Sequence, residues 1–62
     1  MKDFLEVITV DDDKQKRRAI IPVNNIAFIV EVDGELRVCL KKGNIHYVTL
    51  HQSYDQIANL LR

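Results

Sequence analysis

The sequence predicts a small α+β domain, with five antiparallel strands in a meander that can curl toward a small barrel and one C-terminal helix packed on the sheet. Short β-branched segments alternate with turn residues along most of the chain, which is typical of antiparallel strands. Residues 53–62 form the one stretch with helical periodicity. A chain of 62 residues has room for one domain, so residues 1–62 are expected to fold as a single unit.

The N-terminal part predicts two strands separated by a polar loop. Residues 4–10 are rich in β-branched and aromatic side chains, which favour a strand. Residues 11–18 (DDDKQKRR) are all polar and predict a loop, after which a short strand covers about 18–23. Because Pro22 lacks a backbone donor, this second strand is expected to lie at a sheet edge or to end there.

The middle of the chain predicts a tight hairpin followed by another strand. After a turn at Asn24–Asn25, three strands are expected over residues 27–32, 35–41 and 45–50. Asp33–Gly34 joins the first two, and an Asp-Gly pair favours a two-residue hairpin turn. Gly43 lies in the next turn. Residues 27–32 are almost entirely apolar, which predicts a strand covered on both faces.

A helix is predicted over about residues 54–61. Ser53 and Gln56 have the spacing of a capping box, in which each side chain bonds the other residue's backbone N–H. Asp55 and Arg62 suit the positive and negative ends of the helix dipole. The helix has one apolar stripe, formed by Tyr54, Ile57, Ala58, Leu60 and Leu61. This stripe must pack on an apolar sheet face.

The sheet is predicted to have apolar side chains on both faces. A two-residue turn sets three pairs opposite each other on the face that receives the helix: Glu31–Leu36, Ile29–Val38 and Ala27–Leu40. The reverse face carries Phe28, Val30 and Val32 beside Arg37 and Cys39. Since one helix covers one face, either the sheet closes on itself or a second subunit covers the rest. We expect a homodimer whose interface contains Phe28, Val30, Val32 and Cys39.

Length and composition favour self-association and exclude several classes of protein. The core of a 62-residue chain gives a single copy only marginal stability, and a single Cys cannot form an intramolecular disulfide. Nine Lys and Arg balance nine Asp and Glu, so there is no bulk attraction to nucleic acid or anionic lipid. We find no apolar run of membrane-spanning length and no signal peptide, and expect a cytoplasmic protein that does not contact a membrane.

Few residues have the chemistry of a catalytic or metal site. Cys39, His46 and His51 are the soft metal ligands, and structural zinc needs four. A tight hairpin would bring Cys39 opposite His46, but a mid-strand thiol is poorly placed for nucleophilic catalysis. The acidic triplet 11–13 lacks the ligand spacing of a calcium loop. We therefore expect no cofactor, no metal and no enzymatic activity.

One basic cluster leaves a second function open. It consists of Lys14, Lys16, Arg17 and Arg18 and directly follows the acidic triplet 11–13. These side chains either contact phosphates or form a solvated, neutralised turn. The favoured interpretation is a regulatory or protein-interaction module that binds itself and another protein, and the alternative is a nucleic-acid-binding regulator of transcription.

Residues 19–62 also resemble two bacterial families. Ile21–Ile29 (IPVNNIAFI), then Gly43, Tyr47–Val48 and Leu60–Leu61 follow the strand, hairpin and helix pattern of the LytTR-type DNA-binding domain. That family's later basic segment with further DNA-contacting strands has no counterpart in this sequence. The length, the strand meander and the closing helix after a Gly turn and Ser53 are similar to the FlbD family of small flagellar-operon proteins. The first resemblance implies a nucleic-acid-binding regulator of transcription, and neither resemblance assigns a function to individual residues.

Overall fold

A computed structural model describes residues 3–62 as one antiparallel sheet with one C-terminal α-helix, which confirms the predicted α+β class. The strands are β1 (Phe4–Val10), β2 (Lys16–Pro22), β3 (Ile26–Val32), β4 (Glu35–Leu40) and β5 (Tyr47–Leu50), and the helix α1 spans Tyr54–Leu61. A short 3-10 turn, Val23–Asn25, joins β2 to β3 where the sequence predicts a turn.

The strand order is β2-β1-β5-β4-β3. Three pairs of consecutive strands, β1–β2, β3–β4 and β4–β5, are antiparallel, and β1 also pairs antiparallel with β5, where Thr9 lies opposite Leu50. The chain thus returns on itself as a barrel would, but β2 and β3 do not pair within residues 3–62. The sheet therefore remains open and has two edges, β2 and β3.

The starts of three strands differ from the prediction, and β2 and β4 each end one residue earlier than predicted, at Pro22 and Leu40. β2 begins at Lys16 rather than near residue 18, because it pairs with β1 as far as Val10. Polar side chains are compatible with a strand there since β2 is an edge with one solvated face. β3 begins at Ile26, and β5 begins at Tyr47 rather than at 45. Pro22 ends the edge strand β2, as expected of a residue without a backbone donor.

The β3–β4 hairpin has the predicted turn and one irregularity. Asp33 and Gly34 both have positive φ, at 51° and 82°, as a two-residue type I′ turn requires. Ile29–Val38 and Glu31–Leu36 are paired as predicted. The prediction that Ala27 faces Leu40 is wrong: a bulge shifts the register, and Ile26 lies opposite Leu40. The bulge lets Ile26, with its larger side chain, pack against the core instead of Ala27.

The core lies between α1 and one face of the sheet, which we call the inner face. It consists of Leu5, Val7, Ile21, Leu36, Val38, Leu50 and Ile57. Val38 is fully buried and Ile57 is 1% exposed. These residues alternate with exposed or half-buried ones along β1 and β4, so a single face is buried, as the strand periodicity predicts.

The predicted capping box fixes the start of α1. Ser53 Oγ accepts a hydrogen bond from the Gln56 N–H at 3.3 Å, and Gln56 Oε1 accepts one from the Ser53 N–H at 2.9 Å. Asp55 lies in the first turn, where its charge suits the helix dipole. This start directs Ile57, Leu60 and Leu61 toward the sheet.

Candidate protein-interaction surface

The face of the sheet opposite α1 carries an apolar surface beside the β3 edge. We call this the outer surface, and its members are Phe28, Val30, Val32, Arg37, Cys39 and Tyr47. Cross-strand pairing places Phe28 beside Cys39 and Cys39 beside Tyr47, so these three form one row across β3, β4 and β5. Phe28 is 58% exposed and Tyr47 is 47% exposed, while Cys39 is half-buried.

The predicted interface residues are all on this outer surface. Val30 and Val32 alternate with the inner-face residue Ile29, so they share a face with Phe28. Both valines are half-buried, whereas Phe28 is 58% exposed. The sequence predicts that β3 is covered on both faces, yet α1 covers one, which leaves apolar area on the other.

Arg37 gives the middle of the outer surface a polar component. Its guanidinium lies 4.9 Å from the ring centroid of Tyr47 and donates to Glu35 at 3.4 Å. Among residues 3–62, its Nε is a buried nitrogen without a hydrogen-bond partner. At this distance the ring and the guanidinium attract each other as a cation–π pair. The most apolar part of the outer surface therefore lies at β3.

The backbone of β3 is open along one side. In a two-residue hairpin the flanking residues, Val32 and Glu35, form a hydrogen-bonded pair, and such pairs alternate along the ladder. Ile29 and Glu31 therefore direct their N–H and C=O groups away from β4. No strand of residues 3–62 pairs with that side of β3. These groups form an edge that another strand can extend.

An apolar groove continues this surface around the edge to the helix side. It has a volume of about 290 Å³ and is lined by Ile26, Phe28, Ile29, Tyr54, Ile57, Ala58 and Leu61. Tyr54 is 52% exposed although it belongs to the apolar stripe of α1. Apolar side chains thus border the β3 edge on both of its faces.

Charges are separated along the β3–β4 hairpin. The turn end is acidic, with exposed Glu31, Asp33 and Glu35, and the opposite end is basic, with exposed Lys41 and Lys42. The side chain of Asn25 ties the basic end to the start of β3, since its Oδ1 accepts from the Lys42 N–H at 3.0 Å. Glu31 lies opposite Leu36, and Lys41 follows Leu36 by five residues along the chain. Glu31 and Lys41 are therefore roughly 17 Å apart along the hairpin.

The four basic residues of the predicted nucleic-acid cluster do not form one patch. Arg17 lies 3.6 Å from Asp11, whose other oxygen accepts from the N–H groups of Asp13 and Gln15. Lys14 occupies the turn with a φ of 66°. Lys16 and Arg18 point to the opposite face of β2 from Arg17, and both are exposed. Neither takes part in the ion pairs formed within residues 3–62.

A second depression, of about 650 Å³, lies on the β1–β2 hairpin. Its polar lining residues are Glu6, Arg18 and Gln52. The Gln52 Oε1 accepts a hydrogen bond from the Ile8 N–H at 3.0 Å, which continues the β1–β5 ladder after β5 ends. That side chain is therefore committed to holding the sheet together.

The three candidate metal ligands are not brought together. Cys39 lies opposite Tyr47, not opposite His46 as a tighter hairpin would require. His46 and His51 lie on either side of β5, outside the strand. Within residues 3–62, no three His, Cys, Asp or Glu side chains cluster in a way that could hold a metal ion.

The sequence predicts the apolar residues of the outer surface on β3, and it favours a core or interface position for Tyr47 without assigning it to a face. It does not predict the open β3 backbone or the opposed charges. The register after Asp33–Gly34 already implies the charge separation, because it places Glu31 and Glu35 at the turn and Lys41 at the far end. The open edge depends on the strand order, which no local pattern reveals.

No protein-family model matches this chain, and no curated protein or solved structure matches it significantly. The resemblances to the LytTR-type and FlbD families therefore stay predictions. Within residues 3–62, no helix combines the length and the apolar character needed to cross a lipid bilayer.

Proposed function

We propose that this protein is a small non-enzymatic interaction module with a regulatory role, which acts by binding protein and first of all binds a second copy of itself. The outer surface beside β3 is the proposed contact region. The observation that carries the proposal is Phe28, a large apolar side chain left 58% exposed at an open sheet edge. Apolar surface of this kind at a strand edge favours association.

Burial arithmetic supports the choice of Phe28 as the central contact. Complete burial of a Phe side chain is worth about 1.5–3 kcal/mol, so covering the exposed half contributes on the order of 1 kcal/mol. A symmetric dimer counts this contribution twice. The half-buried Val30 and Val32 add less per residue, but they extend the apolar area along the strand.

The test is Phe28→Asp, with Ile20→Asp as the matched control. Ile20 is 65% exposed on β2, at the other edge of the sheet, so both changes add a charge to an exposed apolar edge residue. The wild type is expected to form dimers of twice 7.2 kDa in light scattering at increasing concentration. Phe28→Asp should weaken the dimer at least about tenfold, and Ile20→Asp should leave it intact.

Equal behaviour of the two variants would show that β3 is not the contact region. A wild type that keeps the mass of one chain at every concentration would overturn self-association itself. Circular dichroism of each variant establishes that a loss of mass reflects dissociation of folded chains.

A nucleic-acid-binding regulator of transcription is the second candidate, favoured by one observation. Lys16 and Arg18 are exposed on the same side of β2 and are engaged in neither ion pair of residues 3–62. Duplex and single-stranded DNA should be titrated at two salt concentrations with the wild type and with Lys16→Gln/Arg18→Gln. If phosphates bind there, the affinity falls with salt and in the double variant.

The control for this experiment is Lys41→Gln/Lys42→Gln, which removes the same charge from the far end of another hairpin. Equal loss in both double variants would indicate nonspecific attraction to positive charge. Binding that is absent in the wild type at the lower salt concentration would eliminate this candidate.

A further inference from the structure

We propose that β3 of one copy pairs antiparallel with β3 of a second copy, so that the two sheets join into one continuous sheet. This inference rests on the proposed self-association and specifies its geometry. The occupant of the open edge is then a second copy of this chain, and the contact is isologous, with the same residues used on both sides.

The backbone provides the first argument. Ile29 and Glu31 direct their N–H and C=O groups away from β4, and within residues 3–62 no strand meets them. In antiparallel pairing, the hydrogen-bonded pairs form between residues whose groups point toward the partner. Pairing Ile29 with Ile29 of the second copy satisfies this condition and places the two-fold axis at Ile29.

Side-chain packing in this register provides the second argument. With Ile29 on the axis, Phe28 of each copy lies directly opposite Val30 of the second copy, on the outer surface. An aromatic side chain beside a β-branched one is a favourable cross-strand pair. The exposed Phe28 thus gains an apolar neighbour, and β3 becomes a central strand, as its almost continuous apolar sequence predicts.

Charge complementarity provides the third argument and identifies the occupant. Antiparallel pairing brings the acidic turn end of one hairpin beside the basic end of the other copy's hairpin. With Ile29 on the axis, Glu31 of one chain lies opposite Ala27 of the second chain, and Asp33 lies opposite Asn25, the residue that binds the backbone of Lys41 and Lys42 in that second chain. The β3–β4 hairpin is therefore complementary to itself when rotated by a two-fold axis.

The opposite edge of the sheet does not offer the same contact. β2 contains three consecutive cationic residues, Lys16, Arg17 and Arg18, and ends in Pro22. Charged side chains and proline are the features that prevent edge strands from pairing. In contrast, β3 contains Glu31 as its one charged residue.

Charge reversal tests the geometry directly. Glu31 and Lys41 lie roughly 17 Å apart along one hairpin, about twice the screening length at physiological salt, so they cannot couple within a chain. Glu31→Lys and Lys41→Glu should each weaken the dimer about fivefold, because each change reduces the attraction between the acidic end of one hairpin and the basic end of the other, which occurs twice in a symmetric dimer. The double variant Glu31→Lys/Lys41→Glu should return to within about twofold of the wild type.

A proline substitution tests the backbone contact. Glu31→Pro removes an N–H that β4 does not use, so the single chain should still fold while the dimer weakens more than about tenfold. Glu31→Gln keeps the N–H and removes the charge, so it should weaken the dimer only a few-fold. The matched control is Arg18→Pro, which removes an outward N–H from β2 and should leave the dimer unchanged.

The outcomes distinguish a failure of β3–β3 pairing from a failure of the proposed self-association. If the wild type dimerises but Glu31→Pro has the same dissociation constant, or the reversed charges do not compensate, edge pairing is wrong and self-association stands. If the wild type is monomeric at all concentrations, both are wrong. Should Glu31→Pro fail to fold, the charge-reversal set decides alone, since its three variants change exposed side chains only.

Discussion

The two edges of the sheet, β2 and β3, have the same length and opposite character. Each spans seven residues, and each has a strand neighbour on one side within residues 3–62. β2 carries three cationic side chains and a terminal proline, whereas β3 carries apolar side chains and one glutamate. The difference indicates that β2 is protected from pairing and that β3 is available for it.

The largest effect is expected from loosening the packing of α1 on the sheet, on which both edge strands depend. Ile57 is 1% exposed and joins α1 to the inner face of the sheet. Ile57→Ala should lower the free energy of unfolding by about 2–5 kcal/mol, because the cavity cannot fully collapse. Urea unfolding measures this loss. If the loss is below about 1 kcal/mol, α1 does not hold the inner face together.

An intermediate effect is expected when a cation is added to β3 and, in a separate variant, a cation is removed from β2. Val32→Lys introduces a cation into β3. Within one chain this lysine lies opposite Glu35, but in the dimer it approaches Lys41 of the second copy. The dimer should therefore weaken about tenfold, which corresponds to about 1.4 kcal/mol. Conversely, Arg18→Val removes a cation from β2 and should add concentration-dependent association there. Sedimentation equilibrium measures both.

The exchange is controlled by Val32→Thr, which keeps the β-branched shape and adds no charge. If Val32→Thr and Val32→Lys weaken association equally, charge is not what distinguishes the edges. If Arg18→Val associates no more than the wild type does, the cations of β2 are not what prevents that edge from pairing.

The smallest expected effects concern the turns that lead to the two edges. Gly34 has a φ of 82° and lies in open space, so Gly34→Ala should cost about 1 kcal/mol through backbone strain alone. Lys14 has a φ of 66°, and Lys14→Gly should stabilise the β1–β2 turn by about 0.5 kcal/mol. Thermal unfolding measures both shifts, and effects of the same sign would contradict the assignment of strain.

Local signals in the sequence predicted the elements whose determinants are close together along the chain. The Asp33–Gly34 turn and the Ser53–Gln56 capping box were correct because each depends on residues within four positions. The start of β2 was wrong because its charged residues look like a loop, and only pairing with β1 makes them a strand.

Features set by distant contacts could not be predicted. The pairing of β1 with β5 joins Thr9 to Leu50, and the bulge at Ala27 depends on Ile26 rather than Ala27 packing against the core. The apolar members of the outer surface were predictable from alternation alone. Its open edge was not, because the sequence does not reveal which strands lie at the edges of the sheet, with a neighbour on one side only.

Amide hydrogen exchange of the wild type tests the central claim most directly, because it reports each edge separately. The N–H groups of Ile29 and Glu31 should exchange more slowly as protein concentration rises, while those of Arg18 and Ile20 on β2 remain fast throughout. Fast exchange at Ile29 and Glu31 at every concentration would contradict pairing of β3 between two copies.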